Sequence, residues 1–340
     1  MTHPAPLRLR LDGDALASNW RWLDATSGAA ACGAAVKANG YGLGAVEVVK
    51  RLADAGCRDF FVATWAEALE VEPHLPEGAG LSVLHGVRAE DMAVATASRA
   101  RPVLNSIEQL ARWTPTGRPC DVMVDTGMNR LGVSGLEDFS GLSIHTLLSH
   151  LASADEDVAQ NGQQLEAFRA VSSRIPARRR SFANSAGICL GSDYHFDLTR
   201  PGLALYGGIP RAEAEGNIKP VVSLETQVLQ RRRIDAGDRV GYNATFTAER
   251  PMELAIVNLG YADGYVRGFS GRGSARDGAF GVIGRVSMDL VALDVSSAPS
   301  VGEGDWIAID YDLPAATAQS GLSQYELLTL LGRRFERIWA

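Results

Sequence analysis

The chain has 340 residues, 46% hydrophobic and 21% charged, which fits a globular enzyme with a large core and about two domains. Its formal net charge is −7 and no basic stripe with interleaved aromatics appears, which argues against nucleic acid as a partner. Four cysteines lie far apart with no C-x-x-C pair, which argues against a zinc site or a disulfide framework. Residues 1–12 carry no apolar signal-peptide core and no apolar run reaches the length of a membrane span, so a cytoplasmic location is expected.

In chain order, 34–37 reads as a short strand. A helix follows over 43–56, with Ala45, Val46, Val49, Leu52 and Ala53 at helical spacing. Strands are expected over 60–65, 81–85, 102–105, 121–124 and 142–150, with two more strand ends at 181–184 and 196–199. Between them helices are expected over 66–71, 89–98 and 157–173, and from Ser106, where Ser106-Ile-Glu-Gln109 has capping-box spacing. The alternation approaches eight βα units. It predicts an α/β fold, a (β/α)8 TIM-type barrel over 1–221. No G-x-G-x-x-G follows the first strand, which weakens a dinucleotide-binding alternative. Near Val221 the pattern changes to strand-like runs over 223–234, 252–259, 281–284, 290–295 and 306–310, with helices scarce. A C-terminal mainly-β domain is expected over 222–340, with one short helix over 325–331.

Barrel enzymes place their chemistry at the C-terminal ends of the strands. Lys37 stands there, before Ala38-Asn39-Gly40-Tyr41-Gly42. Near apolar walls a lysine can lose its proton at neutral pH and condense with an aldehyde. From position alone, a surface lysine leaving a strand has the larger prior. Arg130, His150, Ser185 and Arg200 sit where other strands should end; singly each reads as structural, but together they favour a site. In the β domain Gly260-Tyr261-Ala262-Asp263-Gly264 presents a tyrosine on a glycine-bounded turn, which reads as a surface turn or as an acid/base residue.

Taken together, these segments resemble the alanine racemase family. The matching stretches are Ala35-Val-Lys-Ala-Asn-Gly-Tyr-Gly42, Val124-Asp-Thr-Gly-Met-Asn-Arg-Leu-Gly132, Ser149-His-Leu-Ala-Ser-Ala-Asp-Glu156, Ala183-Asn-Ser-Ala186, Arg200-Pro-Gly-Leu-Ala-Leu-Tyr-Gly207, Gly260-Tyr-Ala-Asp-Gly264, Gly284-Arg-Val-Ser-Met-Asp289 and Tyr325-Glu-Leu-Leu328. They span nearly the whole chain in the family's order. The resemblance implies a pyridoxal 5'-phosphate enzyme that interconverts L- and D-alanine by a two-base mechanism, as a homodimer with shared active sites. Lys37 would hold the cofactor and act as one base, and Tyr261 of the other subunit would be the opposite base. Arg200 would face the pyridine nitrogen, with His150 bridging Arg200 and Tyr261. Tyr41, Ser185, Tyr325 and the backbone around Gly202 would hold the phosphate. Arg130 and the Met288 backbone would hold the substrate carboxylate, and Asp155 and Arg285 would line the substrate corridor.

The chain departs from the family pattern at several of these places. Met123 stands where many members have a lysine, Ser181 where a histidine is usual, and Asn243 where a glycine is usual. Ser323 is a small residue near the expected entry gate. A serine or broad-specificity amino-acid racemase, a fold-related decarboxylase and a non-catalytic pyridoxal-phosphate-binding protein are the alternatives.

Overall fold

The computed structural model describes residues 5–340. The chain divides into two units, one over 16–219 and the other formed by 220–340 with the N-terminal residues through Ala15.

The first unit contains a wholly parallel sheet. Of its nine pairing segments, Ala31–Cys32 and Ala34–Ala35 are one strand interrupted at Gly33, which leaves eight strands. The others follow in sequence order: Asp59–Val62, Gly80–Val83, Arg101–Leu104, Pro119–Met123, Ser143–Leu148, Arg179–Ser181 and Leu198–Thr199. The last closes on the first, with Leu198 opposite Ala31 and Thr199 opposite Cys32. This is the expected (β/α)8 barrel. Strands covered on both faces read as continuous apolar runs rather than alternations, and Phe60, Phe61 and Val62 are all buried. Phe61, Val103, Met123, Leu148 and Leu198 pack in one interior cluster.

Toward the strand starts the filling is polar. Arg179 makes two bonds to Asp59, at 2.9 and 3.0 Å. The fully buried Asp121 accepts from Ser82 (2.6 Å), Arg101 (3.2 Å) and the Thr146 N–H (2.9 Å). This network fills the bottom of the barrel, opposite the strand ends where a barrel carries its chemistry. The βα alternation fails once: no helix lies between Pro119–Met123 and Ser143–Leu148, where the connection carries Arg130.

The second unit is a mainly antiparallel sheet built on the long strand Val222–Ile234. Its first half pairs with Trp306–Ile309, and its second half, after a register shift at Val228/Gln230, pairs with Met252–Val257. Val291–Asp294, Phe280–Ile283 and Ser274–Ala275 complete a circuit back to Trp306–Ile309. The mainly-β expectation holds, with corrections. The sequence reading keeps 1–221 together, yet Leu7–Leu11 pairs antiparallel with Val222–Ile234 and parallel with Glu336–Trp339. The N-terminal strand is therefore part of this second sheet. The helix Leu313–Ser320, capped by Asp312, was not anticipated either. Asn243 takes φ of 62°, a left-handed conformation that asparagine tolerates better than most residues. Among the described residues no helix is long and apolar enough to cross a membrane.

Candidate active site

The first strand stops at Ala35, earlier than expected, and Lys37 opens a turn of unusual hand. Ala38, Asn39, Gly40 and Tyr41 have φ of 53°, 55°, 61° and 54°. For residues with a Cβ this conformation costs roughly 1–2 kcal/mol each, so neighbouring contacts must impose it. Glu67 supplies one of them: Oε1 accepts from the Ala38 N–H at 2.8 Å, while Oε2 is anchored by the Ala63 N–H at 2.7 Å. Asn39 Oδ1 accepts from the Ala45 N–H at 3.0 Å, which joins the turn to the start of helix Ala45–Ala55. Lys37 itself is partly buried. Burial, and then the charge of Arg130, hold its ammonium below the usual lysine range; Glu67 opposes this and Arg200 adds to it.

Arg200 follows the last strand and is 7% exposed. Its Nη1 donates to Ser181 Oγ at 2.5 Å and its Nη2 to Ser149 O at 2.6 Å. Nη2 also lies 3.5 Å from His150 Nδ1. Ser181 Oγ donates its single hydrogen to Leu198 O, so it meets Arg200 as an acceptor. All of these partners are neutral. Burial lowers the Arg200 pKa to about 10, and it remains a cation at neutral pH. Burial, then Arg200, Arg130 and Lys37, push His150 down to about 3. His150 is therefore neutral. With Nδ1 accepting from Arg200, its proton belongs on Nε2.

Tyr41, Ser185 and Gly202 converge beside this group. The Tyr41 ring stacks on Tyr206 at 4.5 Å between centroids. Ser185 Oγ accepts from the N–H groups of Gly202 (2.9 Å) and Ala204 (3.2 Å). A Cβ on Gly202 would lie 2.2 Å from the Tyr41 hydroxyl, so no larger residue fits there unless Tyr41 moves. Arg130 is exposed on the helix-free connection. The turn before it is organised by Asp125, whose Oδ1 accepts from the N–H groups of Gly127, Met128 and Asn129 at 2.8, 2.9 and 3.1 Å. Asp155 is exposed on the loop after His150.

The remaining expected residues lie in the second unit. The Tyr261 N–H donates to Ser287 O at 3.1 Å and the Ala262 N–H to Met288 O at 3.0 Å, which ties the tyrosine turn to the segment carrying Arg285 and Met288. The Arg267 guanidinium stands 5.0 Å over the Tyr261 ring. Tyr325 is on the short helix Gln324–Thr329, whose capping box is made by Ser323 and Glu326.

A family model described as the alanine racemase N-terminal domain matches residues 11–210, and one described as the alanine racemase C-terminal domain matches 221–339. The chain belongs to the alanine racemase family. A relative named alanine racemase in Acidiphilium cryptum (strain JF-5) is 40% identical over 358 residues, covering 99% of each chain. Another, in Cereibacter sphaeroides, is 43% identical over 348 residues and covers 98% of each. The crystal structure of alanine racemase from Bartonella henselae with covalently bound pyridoxal phosphate superposes with a TM-score of 0.92 at 37% identity, over 99% of this chain and 100% of that one.

Against this alanine racemase framework, the sequence reading missed Glu67. Its signal was present, because Thr64-Trp-Ala-Glu67 has the capping-box spacing seen at Ser106, and the box forms in helix Trp65–Val71. The second role of Glu67, on the Ala38 N–H, had no local signal.

The His150 shift carries a pH prediction. A histidine ordinarily titrates near 6.5 and His150 near 3, so on acidification the unfolded chain takes up the proton first. The stability tied to neutral His150 is complete above about pH 6.5 and is lost as the pH falls toward about 3. At pH 5 the loss is up to about 2 kcal/mol, an upper bound because His150 is only partly buried. Denaturant unfolding of cofactor-free protein at pH 8 and pH 5 measures it. His150→Gln should lose less stability between the two than the parent chain, by about that amount.

Proposed function

We propose that this chain interconverts L- and D-alanine with pyridoxal 5'-phosphate as cofactor, and that Lys37 and Tyr261 of the partner subunit are its two bases. The observation that carries the reading is the meeting, at the barrel's strand ends, of a lysine with a lowered pKa and a buried arginine whose hydrogen-bond partners are all neutral.

The residues present suit that cofactor. Gly202, with Ser185 and Tyr41 around it, forms a small polar cradle that a Cβ would fill, and these three would hold a phosphate group together with Tyr325. Among the described residues Arg200 Nε makes no hydrogen bond, so its N–H remains for a ring nitrogen. When bound, that cofactor would supply an electron sink for the substrate's α-carbon. Arg200 opposite the ring nitrogen, rather than a carboxylate, would leave that nitrogen unprotonated and make the ring a weaker electron sink, which would disfavour transamination.

The other steps belong to the protein's own groups. Lys37, whose neutral amine is favoured by burial and the nearby Arg130 charge, holds the cofactor and moves a proton on one face of the α-carbon. The Tyr261 phenol moves the other on the opposite face. The Nε2–H of His150 is available to a phenol oxygen and, through Nδ1, connects it to Arg200. Arg130 and the Met288 backbone receive the substrate carboxylate, while Asp155 and Arg285 line its approach. A homodimer with shared sites is part of the same proposal. So is a cytoplasmic location, supported by four free cysteines, three of them buried. The test is a racemase assay of purified protein over a panel of amino acids. Alanine should lead, and the protein should show the visible absorbance of bound cofactor. Serine or another amino acid leading would overturn the substrate assignment, and bound cofactor without α-proton exchange would overturn the enzyme reading.

A further inference from the structure

The turn that carries Tyr261 is held by a charge cluster in which the proposed chemistry has no other use. Asp263 is fully buried, while the Arg334 side chain is 46% exposed. Asp263 Oδ1 accepts from Arg334 Nε at 2.6 Å, and Oδ2 accepts from Arg334 Nη2 at 2.9 Å and from the Gly260 N–H at 3.0 Å. The remaining arm of the fork, Nη1, donates to Asp289 Oδ1 at 2.6 Å. One guanidinium therefore joins the tyrosine turn to the 287–289 segment. The backbone also ties the turn to the segment that carries Arg334, with the Gly332 N–H donating to Asp263 O at 3.1 Å. Contact is close enough that a Cβ on Gly260 would lie 2.2 Å from Met288 O.

We propose that Arg334, acting through Asp263, is a positioning residue for the Tyr261 phenol. The inference rests on the reading of Tyr261 as one of the two bases. A planar two-pronged fork on a buried carboxylate fixes distance and direction together, which a lysine at the same place cannot do. Arg267 over the ring face adds a second restraint on the phenol. A base displaced by about 1 Å can lose roughly 100-fold in rate.

Loss of rate alone does not test the idea. L- and D-alanine are mirror images of equal free energy, so kcat/KM must fall equally in both directions whichever residue is damaged. The α-deuterium isotope effect does distinguish the cases. When only the proton transfer at Tyr261 is slowed, that step limits turnover. The effect then rises for the enantiomer whose α-hydrogen Tyr261 removes and falls toward unity for the other.

The experiment uses the cofactor-loaded enzyme with Arg334→Lys and Asp263→Asn. Each is compared with Arg231→Lys, which perturbs the ion pair of Arg231 with Glu253 elsewhere in the same unit, and with Tyr261→Phe. Arg334→Lys should lower kcat/KM by roughly 10- to 100-fold and split the two isotope effects, while Arg231→Lys leaves both as in the parent. Asp263→Asn should split them in the same sense, and it decides the matter if Arg334→Lys does not fold. Parent-like isotope effects for both enantiomers in a folded, loaded variant would overturn the clamp while leaving the two-base reading intact, provided Tyr261→Phe is inactive. If Tyr261→Phe retains full turnover, the base assignment falls and the clamp falls with it.

Discussion

Lys37→Ala and Lys37→Arg are each expected to lower kcat by about 10,000-fold or more while leaving the fold intact. The pairing of the two variants separates chemistry from charge. Arginine keeps a positive charge and a long side chain, but its pKa stays too high for it to become a neutral nucleophile or a base. If Lys37 contributed only charge to the barrel mouth, Lys37→Arg would keep much of the activity. The structure points the other way. Burial and the nearby Arg130 charge favour the neutral amine, and the left-handed turn after it is held by Glu67 on the Ala38 N–H and by the turn's own Asn39 on the Ala45 N–H. Removing an amine that is already disfavoured as a cation costs the protein little. Thermal unfolding of cofactor-free Lys37→Ala should therefore stay within about 1 kcal/mol of the parent, whereas cofactor retention after gel filtration is lost. Activity above a few per cent of the parent in either variant would overturn the assignment.

The barrel was legible because parallel strands covered on both faces leave apolar runs that need no knowledge of their partners. The Phe60-Phe61-Val62 run and the helical spacing from Ala45 to Ala53 carry their own structure. Leu7–Leu11 carried a signal as well, since its leucines are buried and its two arginines less so in strict alternation. What it lacked was an address. Its partners lie in Val222–Ile234 and Glu336–Trp339, most of the chain away, and period-two patterning identifies a strand without saying which sheet receives it. Within the candidate site, Lys37, His150, Ser185 and Arg200 could be singled out as residues at strand ends, whereas their electrostatics could not. The lowered His150 pKa depends on burial and on Arg200, Arg130 and Lys37, brought together only by barrel closure. Ser181 shows the same limit. As a sequence letter it is a departure from the family's usual histidine; in the fold its hydroxyl accepts from Arg200 and donates to Leu198 O, so the arginine keeps an anchor. Arg334 gave no sign at all, because its meaning comes from Asp263, 71 residues earlier.

Mixing two inactive variants is expected to restore activity. Lys37→Ala lacks one base and Tyr261→Phe the other, so each homodimer should be nearly dead alone. If every site takes Lys37 from one subunit and Tyr261 from its partner, a mixed dimer has one site missing both groups and one site with both intact. Two-fold symmetry makes the outcome countable. When equal amounts are dissociated and reassembled at random, about half of the dimers are mixed and half of their sites are complete, giving about one quarter of the parent's specific activity. A site built from one subunit predicts the opposite, since every site in every dimer would then lack one of the two bases and mixing would restore nothing. The measurement is specific activity against mixing ratio, with the maximum expected at equal amounts. It depends on neither the substrate ranking nor the direction of turnover, so it isolates the sharing of the site from the rest of the proposal. Recovery should also fail with Lys37→Ala/Tyr261→Phe as one partner and either single variant as the other, because no mixed dimer then contains a complete pair.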